Sequence, residues 1–184
     1  RVAGCKGVAV DWPNAVFEVI DTRSFSSLWF WIALAVTWSM ASHWVLGVPY
    51  DMVARAARRG GEAAHDLEEM VRINVDRTLY IARTAGLWLV GALSFALTLL
   101  ALLGFLYRVE VAQALFCLLL PLSLVWAMGL RAARRIRAGA LTGDALRREL
   151  RAQRLFTQAV GMLAIFLTAL WGMYQNLSRL PLAG

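Results

Sequence analysis

The stretch AGLWLVGALSFALTLLALLGFLY (85–107), RVE (108–110), VAQALFCLLLPLSLVWAMGL (111–130) and RAARRIR (131–137) decides the fold. Two apolar runs free of any charge are separated by three residues, and the second breaks off into four arginines. At a rise of about 1.5 Å per residue, about 20 helical residues cross a hydrocarbon core of roughly 30 Å. A three-residue link between two such runs predicts an antiparallel helical hairpin packed side by side. Two further uncharged runs lie outside it, at 28–48 and 159–177. The pattern predicts an all-α chain: an integral membrane four-helix bundle with helical extensions on one side. An outer tail occupies 1–27, and two larger polar segments occupy 49–84 and 131–158.

Composition agrees. The chain is 60 % hydrophobic and 17 % charged, against about half and about a quarter in soluble domains. Its net charge of +7 would suit nucleic acid if the basic residues formed one face of a soluble domain. Here they flank apolar runs, so anionic lipid headgroups are the expected counterpart and no nucleic-acid partner is expected. Cys5 and Cys117 stand in unrelated contexts without a CxxC pair, which argues against a disulfide, zinc or iron–sulfur framework.

The arginines also orient the chain. Six lie in 49–84 and eight in 131–158, against five basic residues at the other ends of the runs (Arg1, Lys6, Arg23, Arg108, Arg179). Positive residues stay with the cytoplasm, so both termini are expected on the periplasmic side of a bacterial inner membrane. Trp29, Trp31, Tyr107, Trp171 and Tyr174 at the outer ends, and Trp44, Tyr50, Trp88 and Trp126 at the inner ends, fit interfacial belts.

In the tail, Asp11 and Pro13 start a short helix whose Val16, Phe17 and Ile20 share a face, which predicts an interfacial helix. Segment 49–84 divides at Gly60-Gly61. Asp51 is placed to cap a helix over 52–59, and a pattern from Glu62 through Leu67, Val71, Asn74, Thr78 and Ile81 runs on into the second span without a breaker. In 131–158, a turn at 139–143 precedes a helix capped by Thr142 or Asp144, with Leu146, Leu150, Arg154 and Leu155 as its apolar edge. This hairpin has eight arginines and only Asp144 and Glu149 as acids, a net charge of +6 by sequence. Acidic loop, anionic lipid and acidic partner protein are all open as its counterpart, and Arg134, Arg135, Arg147, Arg148 and Arg151 are the candidate contacts.

Within the spans, small residues recur every fourth position: Ala33, Thr37 and Ala41, then Ala164, Thr168 and Gly172. Such stripes let helices approach closely in lipid, so they are read first as packing within the bundle and second as an interface. Gly86, Gly91 and Gly104 read the same way. Pro121 removes one helical N–H and is expected to kink its span. His43, beside Ser39, is the candidate polar site; a proton relay or tetrapyrrole ligation is weighed against an interfacial histidine bonded to Ser39. His65 lacks a ligand set. No paired carboxylates, nucleophile elbow, phosphate loop or metal motif occurs, so no catalytic residue, cofactor or metal is expected.

The stretches TRSFSSLWFWIALAVTWSMASHWVLGVPYD (22–51) and AIFLTALWGMYQNL (164–177) resemble a group of small four-helix membrane proteins of purple alphaproteobacteria. Some members are labelled as a component of the Suf iron–sulfur assembly complex. The resemblance implies a membrane partner in cluster assembly.

The leading expectation is a non-enzymatic inner-membrane scaffold or accessory subunit that binds a partner protein, anionic lipid or both through the Arg-rich hairpin. A partner membrane protein or a second copy fits the small-residue stripes. An oligomeric small-solute or ion channel, and a partner of iron–sulfur assembly, are the alternatives.

Overall fold

The computed structural model describes residues 28–177, the Asn176 side chain excepted. Five helices and one very short hairpin make up this part: α1 (Leu28–His43), β1 (Trp44–Val45), β2 (Val48–Pro49), α2 (Tyr50–Arg59), α3 (Gly61–Ala101), α4 (Glu110–Gly139) and α5 (Gly143–Leu177). The interfacial helix expected in 1–27 lies outside the described residues. The fold is all-α, as the runs predict. Three helical stretches are long and apolar enough to cross a membrane: Gly61–Leu106, Glu110–Gly139 and Gly143–Gln175.

The first run behaves differently from its reading as one span over 28–48. α1 stops at His43, after 16 described residues. Trp44 then pairs with Pro49, and Val45 with Val48, around a turn in which Leu46 (φ 52) and Gly47 (φ 74) are both left-handed. Positive φ at both central residues suits a tight two-residue hairpin turn. Pro49 disfavours helix at Val48 and has no N–H to extend one. Pro49 also occupies the N-cap position of α2 without a side-chain hydrogen bond, and Asp51 sits exposed in the first turn instead of capping it.

The polar segments are not loops. They fold into a helical head with its own core: Val45 and Val48 of the hairpin, Val53 and Ala56 of α2, Leu67, Val71 and Val75 of α3, Ala133 and Ile136 of α4, Leu146 and Leu150 of α5. The spacings of four on α3 and α5 and of three on α2 and α4 put each set on one helix face. Burying each large aliphatic side chain here contributes about 1.5–3 kcal/mol. α2 rises along α3, Gly60 (φ 61) and Gly61 (φ 50) turn the chain, and α3 then runs 41 residues, about 60 Å, through the head and on into the apolar half. Its last turn widens into a π segment, Leu102–Leu106, and Arg108 (φ 55) reverses the chain into α4. Pro121 leaves α4 continuous from Glu110 to Gly139.

α5 changes the character of its buried face along its length. Its buried seam is Leu146, Leu150, Gln153, Thr157, Gly161, Ala164, Thr168 and Gly172. In the head the seam is leucine, because water drives burial there. Beyond Gln153 it is small residues, because close backbone approach is what holds helices together in lipid. Thr157 and Thr168 donate their hydroxyls to the carbonyls four residues back, Gln153 and Ala164, so neither is left unsatisfied. Leu155, expected on the apolar edge, is 68 % exposed; the seam passes through Gln153 and Thr157 instead.

Candidate functional site

The α4–α5 pair offers two sides in its apolar half. α1 occupies one of them: Leu34 and Trp38 pack with Ala164, flanked by Leu118, Leu122 and Val125 of α4. Gly161 makes this contact possible, since a β-carbon there would lie 2.7 Å from the Trp38 ring. The ring is buried so fully that its Nε1 lacks an acceptor. The α5 stripe Ala164–Thr168–Gly172 is thus a packing face within the chain. On α1 the burial falls on Leu34 and Trp38, while Ala33 is exposed and accepts the Thr37 hydroxyl, and Ala41 is half-buried.

The other side is open. A groove of about 840 Å³ runs between α3, α4 and α5, lined by Leu93, Leu120, Leu124, Ala127, Leu163 and Leu167 among others. Its few polar groups include Cys117, Ser123 and Thr168, of which Ser123 and Thr168 already donate to backbone carbonyls of their own helices. α3 contributes little to closing it: only 6 % of its most apolar window is buried inside the molecule, against 28 % for α5. Gly86 and Gly91 of α3 have nothing within 4 Å of an added β-carbon, so they are not packing positions within this chain.

Gly104 is one. A β-carbon there would meet the Gln113 backbone nitrogen at 3.0 Å, and the close approach lets Gln113 Nε2 donate to the Gly104 carbonyl at 2.6 Å. The Gln113 Oε1 accepts from Trp171 Nε1 at 3.0 Å and from Gln175 Nε2 at 2.8 Å. This buried clasp ties α3, α4 and α5 together at the end away from the head. Sequence reasoning passed over it, although a glutamine three residues into an apolar run was the available signal.

In the head, the basic hairpin docks on segment 49–84, whose six arginines are matched by six acids. Arg137 pairs with Asp76, and the Gly143 N–H at the start of α5 donates to Glu68 Oε1 at 2.7 Å. A carboxylate from α3 thus caps α5, in place of a side-chain cap from Thr142 or Asp144. A cleft of about 380 Å³ lies beside this contact, lined by His65, Glu68, Arg72, Asp76, Arg137 and Thr142 among others. Arg72 hydrogen-bonds Glu69 and holds its carboxyl below the usual range, and Arg147 does the same to Asp144.

The five candidate arginines therefore differ. Arg147 is only 18 % exposed and is held by Asp144, with its Nε unsatisfied. Arg135 lies 3.7 Å from Glu149. Arg134, Arg148 and Arg151 are exposed and form no ion pair among the described residues, although Arg148 and Arg151 add to the positive field on Asp144. Arg154 stacks on Tyr50, its guanidinium carbon 3.7 Å from the ring centroid, and fastens α5 to the start of α2.

Ser39 and His43 are exposed, and no hydrogen bond joins them among the described residues. His43 meets Trp44 edge-on, with ring centroids 6.1 Å apart. Among the described residues no three His, Cys, Asp or Glu side chains gather as a metal set. No family model, curated protein or solved structure matches the chain.

Proposed function

We propose that this chain is a non-enzymatic, multi-pass protein of the bacterial inner membrane that serves as a scaffold or accessory subunit. α3, α4 and α5 cross the bilayer, α1 completes a four-span bundle, and both termini face the periplasm with the head in the cytoplasm. The fourteen-to-five distribution of basic residues supports that orientation. The observation that carries the reading is the head itself. It is a core-packed body mounted on continuous membrane helices, and it displays arginines outward. Arg148 and Arg151 stand exposed on α5, one helical turn apart, flanking the buried Leu150. A partner with an acidic surface is the counterpart such a face would recruit.

The test is purification of the intact chain in mild detergent, wild type beside R148Q/R151Q. The reading expects a stoichiometric companion protein that is lost from the variant and weakened by salt. A strictly monomeric particle with no companion, or a companion indifferent to the double substitution, overturns it.

A further inference from the structure

The open groove and the head meet on one helix face. On α4 the groove-lining positions Leu120, Leu124 and Ala127 continue at helical spacing into Arg131, Arg134 and Arg135, all three exposed. Arg131 is one turn past Ala127, and Arg134 about two. Among the described residues neither Arg131 nor Arg134 has an acidic partner, and Arg135 has Glu149 only at 3.7 Å. On α3, the lining residues Val90 and Leu93 lead in the same way to Arg83, also exposed, two residues before the uncharged run begins at Ala85. Nearby acids are few: Asp76 already holds Arg137, and Glu149 faces Arg135.

We propose that the groove between α3, α4 and α5 is a binding site for one anionic phospholipid of the head-side leaflet. Its acyl chains lie along Leu93, Leu120, Leu124, Leu163 and Leu167, and its phosphate sits among Arg131, Arg134 and Arg83. Two observations separate this from general attraction of a membrane to arginine. First, the groove is one-sided: the opposite side of the same α4–α5 pair is filled by α1 and closed at its head end by the 44–49 hairpin, so of the two sides of this pair it is the open one, where apolar depth meets unpaired arginines. Second, the arginines placed at the phosphate, Arg131, Arg134 and Arg83, form no ion pair among the described residues, whereas Arg135, Arg137 and Arg147 each face an acid. A basic pocket between membrane helices at the cytoplasmic level is the chemistry that holds phosphate headgroups, and guanidinium suits it through its paired donors. The proposal rests on the membrane-embedded, head-inward reading above, but not on the protein partner.

Native mass spectrometry of the full chain, loaded with phosphatidylglycerol or with phosphatidylcholine of the same acyl chains, tests it. The expected result is one retained phosphatidylglycerol per chain, preferred at least tenfold over phosphatidylcholine. R131Q/R134Q should abolish the preference, A127W should reduce retention of both lipids, and R148Q/R151Q should change neither. Equal loss in R148Q/R151Q and R131Q/R134Q would mean diffuse charge and overturn the site; so would retention unchanged by A127W, or a dimer whose groove holds a second copy and no lipid. A second measurement needs no groove variant: Trp126 lines the groove. A small fraction of brominated phosphatidylglycerol in a phosphatidylcholine bilayer should quench it well beyond the mole fraction, with Trp126→Phe giving its share. Quenching that merely tracks the mole fraction also refutes the proposal. A wild-type preparation that retains the lipid but carries no companion protein would fault the scaffold reading alone.

Discussion

Of the residues with a left-handed backbone, Ala140 and Leu46 differ in what holds them there. Ala140 (φ 42) closes α4, its N–H bonding the Ile136 carbonyl, and its side chain is exposed. An L-residue in this region costs roughly 1–2 kcal/mol that glycine avoids. Ala140→Gly is therefore expected to stabilise the chain by about 1 kcal/mol, read as a shift in denaturant-induced unfolding in mixed micelles. Leu46 (φ 52) carries the same strain, but its side chain reaches Gly129 and packs against the head core, so the same change there should destabilise. Gln113 is decided by its partners. Gln113→Leu keeps the volume but strands Trp171 Nε1 and the Gly104 carbonyl, and the expected loss is roughly 1 kcal/mol, given that interhelical hydrogen bonds in membranes are worth about 0.6–2 kcal/mol. Trp171 fluorescence should report the opened clasp.

At the scale of elements, α5 is the member on which the others register. Adding a methyl at Gly161 forces the Trp38 ring to move, and a rigid indole held by Leu34 and Ala164 cannot yield cheaply. Gly161→Ala should cost about 1–3 kcal/mol and loosen α1, seen as faster hydrogen exchange across Leu28–His43. Gly91→Ala, with open space around it, should leave both unchanged. The helices themselves were legible from uncharged runs, the Gly60-Gly61 break and the three-residue 108–110 link. Span ends were less so, because Leu46 and Gly47 turn the chain inside a run that hydropathy alone reads as continuous. The α5 seam was half legible: Leu146 and Leu150 stood out, but Gln153 and Thr157 were overlooked because burial beside lipid selects for size and not for apolarity. The contacts made by Glu68, Asp76 and Tyr50 join residues 61 to 104 positions apart, and no local pattern announces them.

At the scale of the molecule, the chain is one set of helices with a polar head at one end and an apolar half apt to cross a membrane at the other. Water-driven burial belongs to the head alone. Leu150→Ala, at a fully buried position, should cost about 2–5 kcal/mol and release the head to proteolysis while the apolar half stays helical by circular dichroism. Leu155→Ala, at an exposed one, should do neither. The candidate lipid site was partly legible too, since the arginine block at 131–137 was visible from the start, but not that its open face continues a groove. The 41 uninterrupted residues of α3 carry one more consequence. Helices adjust to bilayer thickness by tilting, and a helix without a hinge transmits that tilt along its whole length. About 36 Å of α3 lies in the head, so a tilt of about 10° swings the Gly60-Gly61 corner sideways by roughly 6 Å. Embedded as proposed, the chain would be a pointer whose tip follows the thickness of the membrane around its base, and distances from a spin label at Gly60 to the lipid surface, in bilayers of graded chain length, would trace its travel.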